Sequence, residues 1–218
     1  MPPPPAARDR VLDAFERLLV DRGERAATLD AVAREAGVSK GGLIYHFPSR
    51  EAMVEGLLDR LRARAAQDDE LMRQASEGVV SYFLRTSQGA DTPFDRTLVA
   101  ATRLRSHAAA RETLAGVQGQ WYDSVLAAVG DRTIAQMVML MADGLYYNAS
   151  APDALASTGT HQYQADVDEM VRLVAELVRL RAGAVDSAAG ASSPGAGGRP
   201  AGDLSAGRAA GGAQPRGD

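Results

Sequence analysis

Cysteine is absent from the 218 residues, which excludes disulfide staples, a thiolate nucleophile and any cysteine-ligated metal. Histidine occurs only at His46, His107 and His161, too far apart to show metal-ligand spacing. No constellation of base, nucleophile and metal ligands appears, so neither enzymatic activity nor a cofactor is expected. The chain also lacks an 18-residue apolar run and a basic-then-apolar leader, which points to a soluble, cytoplasmic protein with no membrane partner. A global basic character is missing too. The net charge is −4, with +1 on residues 1–64 and −5 on the rest, so any nucleic-acid contact must come from a local patch.

The end of the chain, from about Ala182, is rich in Ala, Gly, Ser and Pro and almost free of bulky apolar side chains. Such a composition cannot bury enough surface to offset backbone entropy, so residues 183–218 are expected to be a disordered tail. Residues 1–7, with the run Pro2–Pro5, are expected to form a disordered arm. Between them strand alternation is nearly absent and helix-period stripes recur, predicting an all-α fold of about nine helices.

The first stripe is Val11, Leu12, Phe15, Leu18 and Leu19, ended by Gly23. Thr28 then caps a helix carrying Leu29, Val32 and Ala33, which stops at Gly37. Ser39 caps a short helix reaching about Tyr45. Pro48 blocks its continuation, and Ser49 caps a fourth helix with Met53, Val54, Leu57, Leu58 and Leu61 on one face. Helix, tight glycine turn and short helix together make a helix-turn-helix at about residues 28–46. A generic helical corner would give the same outline, but the first turn of the short helix holds Ser39, Lys40, Gly41 and Gly42. Each interior glycine costs ~1 kcal/mol of helix stability relative to alanine, a cost that close approach to another molecule would explain. Lys40 is the single lysine beside 23 arginines. Tyr45, His46 and Arg50 follow at spacings that reach neighbouring phosphates. By pattern alone Tyr45 and His46 read as packing residues at a helix end. A cation at Arg50 opposes the dipole of its helix and wants an anion nearby.

The run from Thr28 to Val54, TLDAVAREAGVSKGGLIYHFPSREAMV, resembles the N-terminal DNA-binding domain of the TetR family. The resemblance covers about the first quarter of the chain. It implies phosphate contacts from Thr28, Tyr45, His46 and Arg50, and puts Lys40, Gly41 and Gly42 against the major groove. Ala36, Gly37, Val38, Leu43 and Phe47 would fix the angle between the two motif helices. Where many members have tyrosine, this chain has Ile44, which either touches a thymine methyl group or packs inward.

Beyond residue 70 the stripes continue. Val79, Val80, Phe83 and Leu84 form one, Leu98, Val99 and Leu104 another after Pro93, and a longer helix spans about Ala108–Val129. The segment Ile134–Tyr147 is apolar nearly all round and so must be covered on more than one side. A last helix, about Ala165–Arg181, carries Val167, Met170, Val171, Val174, Leu177 and Val178. A monomeric core would satisfy this pattern. The resemblance instead implies that the last two helices pair with their mates as a four-helix dimer interface.

A sensor cavity would be lined by adaptable apolar side chains with a few polar groups, and the candidates are Phe83, Leu104, Trp121, Tyr122, Met137, Met141, Asp143 and Tyr147. Asp143 is costly inside an apolar helix unless it serves Arg103, Arg105 or a cationic or hydroxylated ligand, or faces a loop.

The expected organisation is a DNA-binding domain at 8–52, a connecting fourth helix at about 49–68, and a ligand-binding and dimerisation domain at 69–182. The expected protein is a homodimeric repressor, released from a double-stranded, pseudo-palindromic operator by a small-molecule effector. The alternatives are control by a protein partner and a helical domain that binds no DNA.

Overall fold

A computed structural model of the chain describes residues 6–89, 92–150 and 166–191. Nine α-helices and a short 3₁₀ turn are present among these residues, without a strand. They are α1 (Ala7–Arg22), the turn Glu24–Ala26, α2 (Leu29–Ala36), α3 (Lys40–His46), α4 (Arg50–Gln74) and α5 (Val79–Thr86). Then come α6 (Pro93–Thr102), α7 (Ala108–Val129), α8 (Arg132–Ser150) and α9 (Val167–Ala191).

Local chemistry sets the N-terminal boundaries. Thr28 Oγ1 accepts the Ala31 amide at 3.3 Å, Ser39 Oγ that of Gly42 at 3.0 Å and Ser49 Oγ that of Ala52 at 3.1 Å. Each cap satisfies an amide that the first turn of its helix leaves without a partner. Gly37 ends α2 at φ 64°, a left-handed conformation that carries little penalty for glycine. The Val38 amide then bonds back to the Ala33 carbonyl at 3.0 Å.

Two apolar clusters organise the packing. The first joins Leu12, Phe15 and Leu19 of α1 to Leu43, Leu57 and Leu61, and also takes in Ala100 of α6, Leu104 and Val117 of α7. The second joins Met72, Leu84, Val125, Ile134 and Val138 to Val167 and Val174 of α9. Each fully buried Leu, Ile or Phe contributes roughly 1.5–3 kcal/mol of transfer free energy. Helices α4 and α7 feed both clusters, so the two halves share elements. The Phe47 ring occupies the place where a Cβ on Gly56 would sit, 2.7 Å away. This close approach requires glycine in the middle of α4.

Two boundaries differ from expectation. Helix α4 continues past residue 68 to Gln74, because Asp69 and Met72 are buried against neighbouring helices. Helix α9 runs beyond Arg181 to Ala191, through a segment whose alanines have high helix propensity despite their small apolar area. Residues 1–5 and 192–218, including most of the expected tail, lie outside the described residues.

A buried carboxylate ties α1 and α4 to α6. Glu16, 6 % exposed, accepts from Arg60 at 3.1 Å, Arg64 at 3.4 Å and the Thr97 hydroxyl at 2.8 Å. Arg60 also reaches Asp13 at 2.6 Å and Asp9 at 3.1 Å, while Arg64 bonds the Pro93 carbonyl at 2.7 Å. Burial works against the charge on Arg60, but Asp13 and Glu16 more than offset it and raise its pKa above the ordinary arginine value. Replacing Glu16 with alanine would leave two partly buried guanidinium groups short of a partner. Glu16→Ala is therefore expected to cost about 3 kcal/mol, measured by urea unfolding; a loss of only a few tenths would show that Asp9 and Asp13 suffice.

Candidate nucleic-acid interface and ligand cavity

Helix α3 presents its outer face to solvent at one end of the molecule. Leu43 and Phe47 point into the first cluster, four residues apart on one side. This register turns Ile44 outward, at 41 % exposed, which settles its placement against inward packing. Tyr45 is 85 % exposed and stacks edge-on against His46, with ring centroids 5.1 Å apart. His46 is half-buried. A Cβ on Gly41 would meet nothing, so internal packing makes no demand for glycine there. At Gly42 the capping Ser39 Oγ would lie 3.2 Å from such a Cβ, which gives that glycine a partial internal cause.

Lys40 Nζ sits 2.9 Å from Asp30 on α2, both side chains well exposed. An exposed pair of this kind is worth about 0–1 kcal/mol, little enough for a phosphate to displace it. Thr28 and Ser39 lie at the exposed N-termini of α2 and α3, their hydroxyls engaged in capping. Thr28, Ser39, Lys40 and Gly41 are thus exposed at the starts of α2 and α3, and Ile44 and Tyr45 are exposed further along α3.

Arg50 is placed differently. The anion its helix position demands is supplied within the chain: Arg50 Nη2 donates to the Glu24 carbonyl at 3.0 Å and to Glu24 Oε1 at 3.3 Å. Glu24 lies in the 3₁₀ turn, a location that no local pattern around Arg50 announces.

The second site is a half-open cavity of about 720 Å³ bordered by α4 to α8. Phe83, Trp121 and Asp143 line it. The other five candidates lie elsewhere. Leu104 is fully buried in the first cluster, because the end of α6 turns toward α1 rather than toward the cavity. Tyr122 and Met141 pack half-buried against the second cluster, while Met137 and Tyr147 are exposed. Asp143 forms no ion pair with Arg103 or Arg105 among the described residues, and burial alone raises its pKa.

Aromatic rings form one wall. Phe83 and Phe94 flank Trp121 at centroid distances of 5.7 and 5.9 Å. Beside them Tyr82 donates its hydroxyl to Asp68 Oδ1 at 3.1 Å, and both residues line the cavity. Burial pushes the Asp68 carboxyl above the usual carboxylate range, against the opposing hydrogen bond from Tyr82. The buried Trp121 Nε1 makes no hydrogen bond, yet it lies close enough to Asp68 to favour the ionised carboxyl. Burial, then the charge of Asp68, pushes the Tyr82 phenol up to about 12. Asp68 and Tyr82 were hidden in the sequence because each occupies a polar position beside a helix stripe that a solvated residue would fill equally well.

A carboxyl whose folded pKa is raised destabilises the fold where it must ionise, and the penalty fades as pH falls through the folded pKa. Asp68→Asn, which keeps an acceptor for Tyr82, is expected to raise the thermal midpoint at pH 7.5 and to leave it nearly unchanged below pH 4. A uniform shift at both pH values would remove the carboxyl's ionisation as the cause.

Residues 11–57 match the family described as bacterial regulatory proteins, tetR family. The repressor KstR2 of Rhodococcus jostii (strain RHA1) is 39 % identical over 66 residues, 27 % of this chain and 32 % of that protein. The chain thus aligns with about a third of the length of such curated relatives. Over a longer span the fold resembles Salmonella enterica GusR, with a TM-score of 0.57, 17 % identity and coverage of 79 % of this chain and 95 % of that one. It also resembles the multidrug binding protein EbrR in complex with malachite green, with a TM-score of 0.52, 22 % identity and coverage of 64 % and 84 %. The exposed α3 and the caps that frame it lie within residues 11–57, the stretch that is similar to the tetR family of bacterial regulatory proteins.

Proposed function

We propose that the chain is a homodimeric transcriptional repressor that grips a pseudo-palindromic operator through α2 and α3 and releases it when a small molecule fills the α4–α8 cavity. The observation that carries this reading is the outer face of α3. Ile44 and Tyr45 stand exposed, Gly41 is open, and the whole face lies within the residues matched by the family.

In a two-fold dimer the two copies of α3 would enter successive major grooves, ~34–36 Å apart. Occupying the promoter blocks polymerase. A ligand that favours a different separation weakens operator binding by no more than its differential affinity for the two states. EbrR, which shares the fold, holds malachite green. The aromatic wall and mixed polar lining of the cavity here suit a small organic ligand in the same sense.

Dimerisation is supported by an unpartnered apolar face. Leu140 is 70 % and Leu180 65 % exposed, and Met137, Tyr147, Leu173 and Leu177 are exposed on the same two helices, α8 and α9. Their spacings of three, four and seven residues make a stripe on each helix, an apolar surface that a second copy would cover. Leu140→Glu is expected to convert the dimer to monomer by sedimentation velocity. Persistence of the dimer would move the interface away from α8.

The decisive experiment is a mobility shift with the intergenic DNA upstream of the gene. A specific, salt-sensitive complex is expected. Tyr45→Phe should weaken it about tenfold per subunit if the hydroxyl bonds a phosphate. Absence of any specific shift with that DNA, or with duplexes selected from a random library, would overturn the regulator reading.

A further inference from the structure

Glu24 bridges the two sites just described. Its Oε1 accepts from Arg50 Nη2 at 3.3 Å and lies 3.0 Å from His107 Nε2, which must carry the proton to bond a carboxylate. Its Oε2 accepts the Ser106 hydroxyl at 3.0 Å. The hydrogen bond from His107, opposed by burial and reinforced by Ser106 and Arg50, holds the Glu24 carboxyl below its ordinary value.

These partners belong to opposite ends of the molecule's proposed task. Arg50 opens α4, next to the surface that would meet DNA. Ser106 and His107 form the turn between α6 and α7, and that turn also borders the cavity. Arg111 Nη1 donates to the carbonyls of Arg105 and Ser106 at 2.9 and 3.1 Å, and the side chains of Arg105 and Arg111 both line the cavity. The His107 amide bonds the Leu104 carbonyl at 2.9 Å, and Leu104 is fully buried. A short, well-anchored turn therefore joins the cavity lining to Glu24 directly.

We propose that Glu24 is a positioning residue for operator binding: the Ser106–His107 turn competes with Arg50 for the Glu24 carboxylate, and a DNA phosphate competes with Glu24 for Arg50. While Ser106 and His107 occupy the carboxylate, its hold on Arg50 is shared, and the guanidinium can pass to a phosphate. When a molecule in the cavity engages Arg105 and Arg111 and draws the turn away, Glu24 turns its whole charge on Arg50 and DNA loses a cation. This rests on the regulator reading above and adds to it the route between the sites. The physical warrant is competition among hydrogen bonds to one carboxylate, each of them partly exposed and therefore exchangeable.

The test uses the full chain, a duplex selected by that chain from a random library, and no cavity ligand. The slope of log affinity against log salt counts phosphate neutralisations at ~0.9 per contact on B-DNA. Glu24→Gln is expected to tighten binding about two- to fivefold and to steepen the slope by a measurable part of the ~0.9 that one complete contact adds per subunit, because wild-type Arg50 is shared between Glu24 and the phosphate. Adding Arg50→Ala to that variant should abolish both gains.

Ser106→Ala with His107→Asn, which keeps a capping residue on α7, should weaken binding in the wild-type background and change nothing beside Glu24→Gln. The Ser106→Ala single variant, at an exposed position, should show the same sign if the double variant melts early. An unchanged slope in Glu24→Gln, or additive effects of the two sets of changes, would overturn the route while leaving the regulator reading intact. Failure of every selected duplex to bind would take down both.

Discussion

The buried Glu16 carboxylate is the constraint on which the arrangement of helices depends. An ion below the surface is tolerable only when its partners are in place, and those partners come from two other helices. Arg60 and Arg64 arrive from α4, Thr97 from α6, and Glu16 itself from α1. Displacing any one of these helices would leave charge uncompensated, so the three move together or not at all. The first apolar cluster fills the space beneath them, but apolar contact is non-directional and would permit sliding. The ion pairs set the register.

Helix α4 extends that constraint along the molecule. Its first turn meets the 3₁₀ turn through Arg50, its middle is pinned by the Glu16 cluster, and its last turns line the cavity with Gln67, Asp68 and Leu71. Two cross-links run from it to α7, where Arg62 donates to Thr113 at 2.8 Å and the Ser124 hydroxyl reaches Asp69. Both contacts advance in the same direction, so α4 and α7 run parallel where they pack. The first turn of α4, beside the 3₁₀ turn, and the cavity wall therefore belong to one helix.

Much of the N-terminal half was legible in the sequence because its signals are local. Thr28, Ser39 and Ser49 cap the helices their positions predict, Gly37 adopts the left-handed turn, and Pro48 separates α3 from α4. The apolar stripe of α4 faces the core as its spacing requires. Leu104 and Arg50 were not legible, because their surroundings are set by partners far along the chain. Leu104 continues an apolar stripe that suits a cavity wall as well as a core, and only the approach of α6 to α1 decides between them. Arg50 shows its need for an anion, but nothing nearby says that Glu24 supplies it. The continuation of α9 to Ala191 carries no apolar stripe that would announce it, because alanine forms helix without bulk.

Trp121 stands between Phe83 and Phe94, on the wall of the cavity, and it is the only tryptophan in the chain. Indole emission responds to the polarity and polarisability of its immediate surroundings. Excited at the red edge of its absorption, this protein emits from a single fluorophore fixed in the cavity lining. It carries a built-in optical probe of what enters, with no second indole to dilute the signal and no label to attach.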